Sequence, residues 1–247
     1  MYAVKLVELG EGLSVYATSS MDAQFIHQEI FLEGCYDHVR LPPGALVLDV
    51  GAHIGLFMLF VKKRCPDADV IAFEPSPESA DILRRNVELH GLSGVRVCEV
   101  AIGRERESDV PFAFYPMAPS NSTRYPHEKE LQKQVLARTM PAIYVEKAHR
   151  AREVAVQVER LSTFLTDDRR VDLLKIDVEG AELDVLHGID PPQWPLIRQI
   201  LLEVQDLDGR LDTVCALLTT HGLTPSVQLA PIVDPDMRNY VVYALRA

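Results

Sequence analysis

Acidic residues recur in this chain where runs of apolar residues come to an end. Asp49 opens the segment Asp49-Val-Gly51-Ala-His53-Ile-Gly55, and Glu74 closes the run Asp69-Val-Ile-Ala-Phe-Glu74. Asp177-Val-Glu179-Gly180 ends a third run and Glu203 falls at the end of a fourth. A carboxylate at a strand tip can accept from both hydroxyls of a ribose, so Glu74 asks for a nucleoside. Gly51 allows a sharp turn and Gly55 opens the following helix, leaving a side-chain-free path by which a ligand could approach main-chain N–H groups. The spacing is not the G-x-G-x-x-G of dinucleotide binding. With one glycine fewer and Asp49 facing the loop, the segment suits an ammonium group better than a pyrophosphate. Any single strand-end acid is equally a solvated chain end or a favourable neighbour of the next helix N-terminus. Five acids at four strand tips point instead to one shared site.

The elements that must carry these residues are legible from periodicity and punctuation. Val4 to Tyr16 alternates around Gly10-Glu11-Gly12 and predicts a hairpin, and Met21 to Gly34 predicts a helix. From Ala45 strand and helix alternate: Ala45–Val50 as strand, then Gly55 to Lys63 as a helix apolar nearly all round, which must be buried. Asp69–Glu74 is the next strand. Ser76 as N-cap, Pro77 at the first helical position and Gly91 as stop bound the helix after it. Val95 to Val100 forms a third strand. Between Gly103 and Glu153 the rhythm lapses into a proline-rich stretch with a predicted helix from His127 to Thr139, closed by Pro141; an insertion of this length reads as a lid. Val154–Val158, the strand Val171–Asp177, the helix Ala181–His187 and the strand Ile197–Val204 resume the pattern. An amphipathic helix through Leu207, Leu211, Val214, Cys215 and Leu218 follows, stopped by Gly222. Leu223–Leu229 and Asn239–Ala244 have no helix between them and should pair antiparallel at the sheet edge. The expectation is a single α/β domain over 1–247, with 1–44 as N-terminal hairpin and helix, 45–103 as the cofactor half, 104–153 as lid and 154–247 as the second half. Its sheet is doubly wound, mostly parallel and seven-stranded, with an antiparallel edge strand.

Three segments, Val47-Leu-Asp-Val-Gly-Ala-His-Ile-Gly-Leu-Phe57, Phe73-Glu-Pro-Ser-Pro77 and Leu174-Lys-Ile-Asp-Val-Glu-Gly-Ala-Glu182, resemble the FkbM family of S-adenosylmethionine-dependent methyltransferases. The similarity runs in order from about Phe31 to Val204. It implies the Rossmann-like class I methyltransferase fold and methylation of hydroxyls on sugars, polyketides and related secondary metabolites. By the same resemblance Asp49, Gly51 and Gly55 would hold the methionine end of the cofactor, Glu74 its ribose, and the turn at Ala101 would border the adenine. Tyr36 looks like the aromatic residue that helps close such pockets, or else packs in the core. His53 could touch the cofactor or simply pack against the loop. An alcohol is a weak nucleophile at neutral pH, so Asp177 and Glu203, expected on adjacent strands, could orient a base or bind a divalent ion, magnesium or calcium by their hard oxygens. Either such an ion, or a His or Lys drawn from the lid, is expected between them.

Composition narrows the classes further. The chain has 247 residues, 47% hydrophobic and 25% charged, an ordinary globular balance. Lys plus Arg number 25 against 36 Asp plus Glu, a net charge of -11 that repels nucleic acid and anionic membranes. The start lacks the basic and apolar regions of a signal peptide and no apolar run is long enough to span a bilayer, so the expected location is cytoplasmic. The four scattered cysteines carry no C-x-x-C pair. The expected partner is a small or carrier-bound hydroxylated substrate. A nicotinamide-dependent oxidoreductase and a non-catalytic nucleoside-binding protein are the competing readings.

Overall fold

A computed structural model describes residues 3–10, 12–166 and 169–246; Met1 and Tyr2 at the start and Glu11 in the predicted hairpin turn lie outside them. The strands β1 (Lys5–Gly10) and β2 (Leu13–Ala17) pair antiparallel as predicted. Ser19 caps α1 (Ser20–His27) by accepting the Asp22 N–H. The predicted single helix does not run on to Gly34 in α form. A turn of π-helix over Gln28–Leu32 replaces its second half, a widening of the backbone that often accompanies functional sites.

The central sheet holds β3 (Leu46–Val50), β4 (Asp69–Phe73), β5 (Val95–Cys98), β9 (Leu173–Ile176), β10 (Gln199–Gln205), β11 (Leu223–Leu229) and β12 (Asn239–Arg246), in the order β11-β12-β10-β9-β3-β4-β5. All pairs among β5, β4, β3, β9 and β10 are parallel. The reversed strand is β12, one place in from the edge between β10 and β11. The strand order turns back at β3 and β9, where an open α/β sheet offers a crevice at its carboxyl edge.

Alternation along the strands divides the core. Val47, Val70 and Ala72 join one apolar cluster with α2 (Leu56–Arg64) and α3 (Pro77–Leu89). Leu46, Leu48 and Val50 join the other with α6 (Glu182–His187) and α7 (Arg210–Thr220). The helix α2 is buried from Leu56 to Lys62 because the N-terminal segment covers its outer side. There Phe31 and Tyr36 pack edge-on against Phe60 and Phe57, with ring centroids 5.8 and 5.6 Å apart. No helix among the described residues is long and apolar enough to cross a membrane.

The insertion contains more regular structure than its prolines suggest. The strands β6 (Ala101–Gly103), β7 (Glu107–Phe114) and β8 (Arg152–Arg160) form a second sheet in the order β6-β8-β7. Pro111 sits in β7, which is an edge strand, where a missing N–H costs no ladder bond. The predicted helix from His127 to Thr139 is a 3₁₀ turn over Pro126–Lys129 and then α4 (Glu130–Leu136). Pro141 stands before a further helix, α5 (Ala142–Ala148).

Candidate active site

A cavity of about 760 Å³ lies at the carboxyl edge of β3, β4, β9 and β10, roofed by α1 and the insertion; this is an ordinary size for a small-molecule site. Of the residues singled out in the sequence, Tyr36, Gly51, His53, Glu74, Ala101, Asp177 and Glu203 line it.

Glu74, the residue after β4, is only 7% exposed. Its Oε2 accepts the His53 N–H and its Oε1 the Ser76 N–H, both at 2.9 Å. A carboxylate offers about four lone-pair sites, so each oxygen keeps one for a ligand donor. Burial pushes its pKa up to about 7 against the pull of those two N–H groups.

Asp49 and Gly55 do not face the cavity. Asp49 is fully buried and stands in register with Lys175 of β9, whose Nζ lies 3.3 Å from its Oδ1. Gly55, at φ 92°, has no room for a side chain: a Cβ would meet Leu83 Cδ1 at 2.4 Å. It lets α2 pack on α3. Gly51, at φ 80°, is also a close-approach glycine, with a Cβ falling 1.8 Å from the Asp177 carbonyl oxygen. The N–H groups of the loop are not open to a ligand as its glycines suggest. Those of Gly51 and Ala52 both donate to the Phe73 carbonyl at 3.0 Å, that of His53 goes to Glu74, and that of Gly55 goes to Ala52.

His53 holds a left-handed backbone, φ 50°, uncommon for a residue with a side chain. Its Nε2 approaches Asp22 Oδ2 at 3.4 Å. Burial pushes the imidazole below its ordinary pKa despite that carboxylate, so at neutral pH the contact is between a neutral ring and an acid. Asp22 is itself held by Ser120 of the insertion, whose Oγ donates at 2.6 Å.

Asp177 follows β9 directly, and the parallel register Leu202↔Ile176, continued by one residue, sets Glu203 beside it. A cation does stand beside Asp177, and it comes from the sheet rather than from the lid. Lys175, from β9 itself, lies 3.3 Å from Asp177 Oδ2 and donates to the Gly51 carbonyl at 2.8 Å. Burial opposes the Lys175 charge, but Asp177 and Asp49 outweigh it and hold the ammonium above the ordinary lysine range. Among the described residues no group of three or more His, Cys, Asp or Glu is arranged to hold a metal ion. Burial first, then the like charges of Glu29, Asp177 and Glu179, pushes the Glu203 carboxyl well above the usual range. These surroundings favour the protonated form of Glu203 over the carboxylate.

Three residues of the site escape a sequence reading. Lys175 leaves a trace, a lone cation in the buried run Leu173–Ile176. Glu29, on the π turn, lines the cavity with its Oε1 unpartnered. Lys129, in the insertion, is buried and bonds Glu179 Oε2. Around that bond Thr123 Oγ donates to the Glu179 carbonyl at 2.7 Å, the Tyr125 hydroxyl donates to Asp184, and Arg210 of α7 pairs with Glu128. The insertion is thereby latched to the loop after β9.

Residues 49–222 match the methyltransferase FkbM domain. Methyltransferase 1 of Beauveria bassiana is 38% identical over 252 residues, covering 100% of both chains. The 31-O-demethyl-FK506 methyltransferase FkbM of Streptomyces tacrolimicus is 36% identical over 242 residues, 93% of this chain and 92% of its own. Among solved structures, methyltransferase FkbM from Methylobacillus flagellatus superposes with a TM-score of 0.55 at 14% identity, covering 91% of this chain and 51% of that one. That likeness is one of fold, the Rossmann-like class I methyltransferase architecture.

Proposed function

The chain belongs to the FkbM family of methyltransferases, and from that premise we propose that it moves the methyl group of S-adenosylmethionine to a hydroxyl oxygen of a small or carrier-bound metabolite. The observation that carries the reading is Glu74, a buried carboxylate on the cavity wall with one acceptor site free on each oxygen. That arrangement fits the two hydroxyls of a ribose. The other lining residues fit the rest of the cofactor: Gly51 and His53 would flank its methionine end, Ala101 at the start of β6 would border the base, and Tyr36 would close the pocket. When bound, S-adenosylmethionine supplies an electrophilic methyl on a sulfonium. The protein's part is to hold the acceptor in line, exclude water and take up the hydroxyl proton. Asp177, paired with the Lys175 ammonium, takes that proton, while Glu203, whose surroundings favour its protonated form, donates a hydrogen bond to an acceptor oxygen. Lys175 supplies positive charge beside Asp49 and Asp177.

Transfer to oxygen is supported by the O-methylation in the name of the Streptomyces relative. A metabolite acceptor is supported by the apolar rim of the cavity, where Met21, Phe25, Met140 and Tyr144 are exposed. The net charge of -11 argues against nucleic acid. Nicotinamide dinucleotide is disfavoured because the first three N–H groups after β3 are already committed within the protein, leaving no cradle there for a pyrophosphate. The test is incubation with S-adenosylmethionine and a panel of hydroxylated glycosides and polyketides, with mass spectrometry of the products. A gain of one methyl on oxygen, matched by S-adenosylhomocysteine, is expected; methylation confined to nitrogen or carbon acceptors overturns the assignment to oxygen.

A further inference from the structure

We propose that Glu29, on the π turn of the N-terminal segment, is the carboxylate that receives the ammonium group at the amino-acid end of the cofactor; the assignment rests on the S-adenosylmethionine reading above. The acid at the tip of β3 cannot do this. Asp49 is fully buried behind the cavity wall and already faces Lys175. The Gly51 carbonyl, the other acceptor at that tip, also takes its hydrogen bond from Lys175. Lys175 donates to the Gly51 carbonyl and stands within ion-pair distance of both Asp49 and Asp177, and no hydrogen bond or ion pair at contact distance joins it to Glu29.

Glu29 is 6% exposed, borders the cavity and leaves Oε1 without a hydrogen-bond partner. A carboxylate buried in that way calls for a cation. Its charged and titratable neighbours are Asp177, Glu179, Glu203, Lys175, Tyr36 and Cys35. The acids among them repel its charge, and Lys175, the cation of that set, is engaged elsewhere. Tyr36, which shares this environment, packs on Phe57 in the first turn of α2. Phe31 of the same π turn packs on Phe60 of α2, so the turn that carries Glu29 lies against the helix that the β3–α2 connection opens, where the methionine end of the cofactor would lie. Of the two reactants, the cofactor is the one that carries an ammonium by its own constitution.

S-Adenosylhomocysteine and 5′-methylthioadenosine, which share the nucleoside and sulfur but differ in the amino-acid end, separate the possibilities by calorimetry. Glu29→Gln is expected to weaken S-adenosylhomocysteine about tenfold or more while leaving methylthioadenosine unchanged. Glu29→Asp, which keeps the charge but withdraws it, should fall between. In the parent, the preference for S-adenosylhomocysteine over methylthioadenosine should drop as pH falls from 8 to 6, since Glu29, pushed up to about 7 chiefly by burial, then takes up a proton. In Glu29→Gln it should be flat. Glu74 titrates in the same window but affects both ligands alike. Equal affinity of parent and Glu29→Gln for S-adenosylhomocysteine, or equal loss for both ligands, overturns the assignment. A parent that binds neither ligand overturns instead the cofactor reading on which it rests.

Discussion

Asp177 and Glu203 sit on adjacent strands at the same edge of the sheet, and their surroundings differ. Asp177 has Lys175 at 3.3 Å and about a third of its side chain exposed; Glu203 has the acids Glu29, Asp177 and Glu179 around it, which favour its protonated form. Asp177→Asn should lower methyl transfer by about 100-fold or more with cofactor affinity little changed, the mark of lost base assistance. Glu203→Gln copies a protonated carboxyl and should stay within about tenfold of the parent, against the equal losses that two interchangeable carboxylates would give. Steady-state kinetics with an identified acceptor would decide, and a 100-fold loss in Glu203→Gln would return it to the role of base. Glu74 calls for similar care. Alanine there would strip the acceptor from two backbone N–H groups as well as from the ribose, so Glu74→Gln is the better probe. It should cost about 1.5–3 kcal/mol of S-adenosylhomocysteine affinity, and unchanged calorimetric affinity would remove Glu74 from the ribose.

The insertion behaves as a lid only if it is tied down, and the knot is between the turn Pro126–Lys129 and the loop after β9. Lys129 is 3% exposed and its ammonium bonds Glu179, which borders the cavity. Removing that cation leaves Glu179 facing Asp177 without a partner. Lys129→Met should therefore destabilise the protein by about 2 kcal/mol or more, allowing for the partial exposure of Glu179. It should also speed proteolytic cleavage between 117 and 150 and raise KM for the acceptor more than it weakens S-adenosylhomocysteine. A variant as resistant to protease as the parent would mean that the latch lies elsewhere, in Tyr125–Asp184 or Arg210–Glu128.

For the molecule as a whole, the site draws on the N-terminal helix, both halves of the sheet and the insertion, so a bound cofactor should stabilise them together. S-Adenosylhomocysteine at about a hundredfold excess over its Kd should add roughly 2.7 kcal/mol. For a chain of this size that raises Tm by roughly 5–10 °C. Thermal scans with S-adenosylhomocysteine and with NAD side by side test this, and a rise with NAD alone would favour the oxidoreductase reading.

The alternation of apolar runs, Ser76 and Pro77 at the start of α3, and the glycines after β3 are local signals, so the strand sequence and the place of Glu74 are legible in the sequence itself. The predicted strand Val95–Val100 stops at Cys98, and the π turn replaces half a helix, because such ends depend on contacts made far along the chain. Asp49 read as a ligand for a cofactor because nothing near it in the chain revealed Lys175, which lies 126 residues on and meets it only through the register of β3 and β9. Nothing in the sequence around Glu29 marks it, because only the packing of its segment buries it near Asp177, Glu179 and Glu203. Residue type and spacing are written in neighbours along the chain, whereas a carboxylate's charge is set by what surrounds it in space, and only the folded sheet brings those surroundings together.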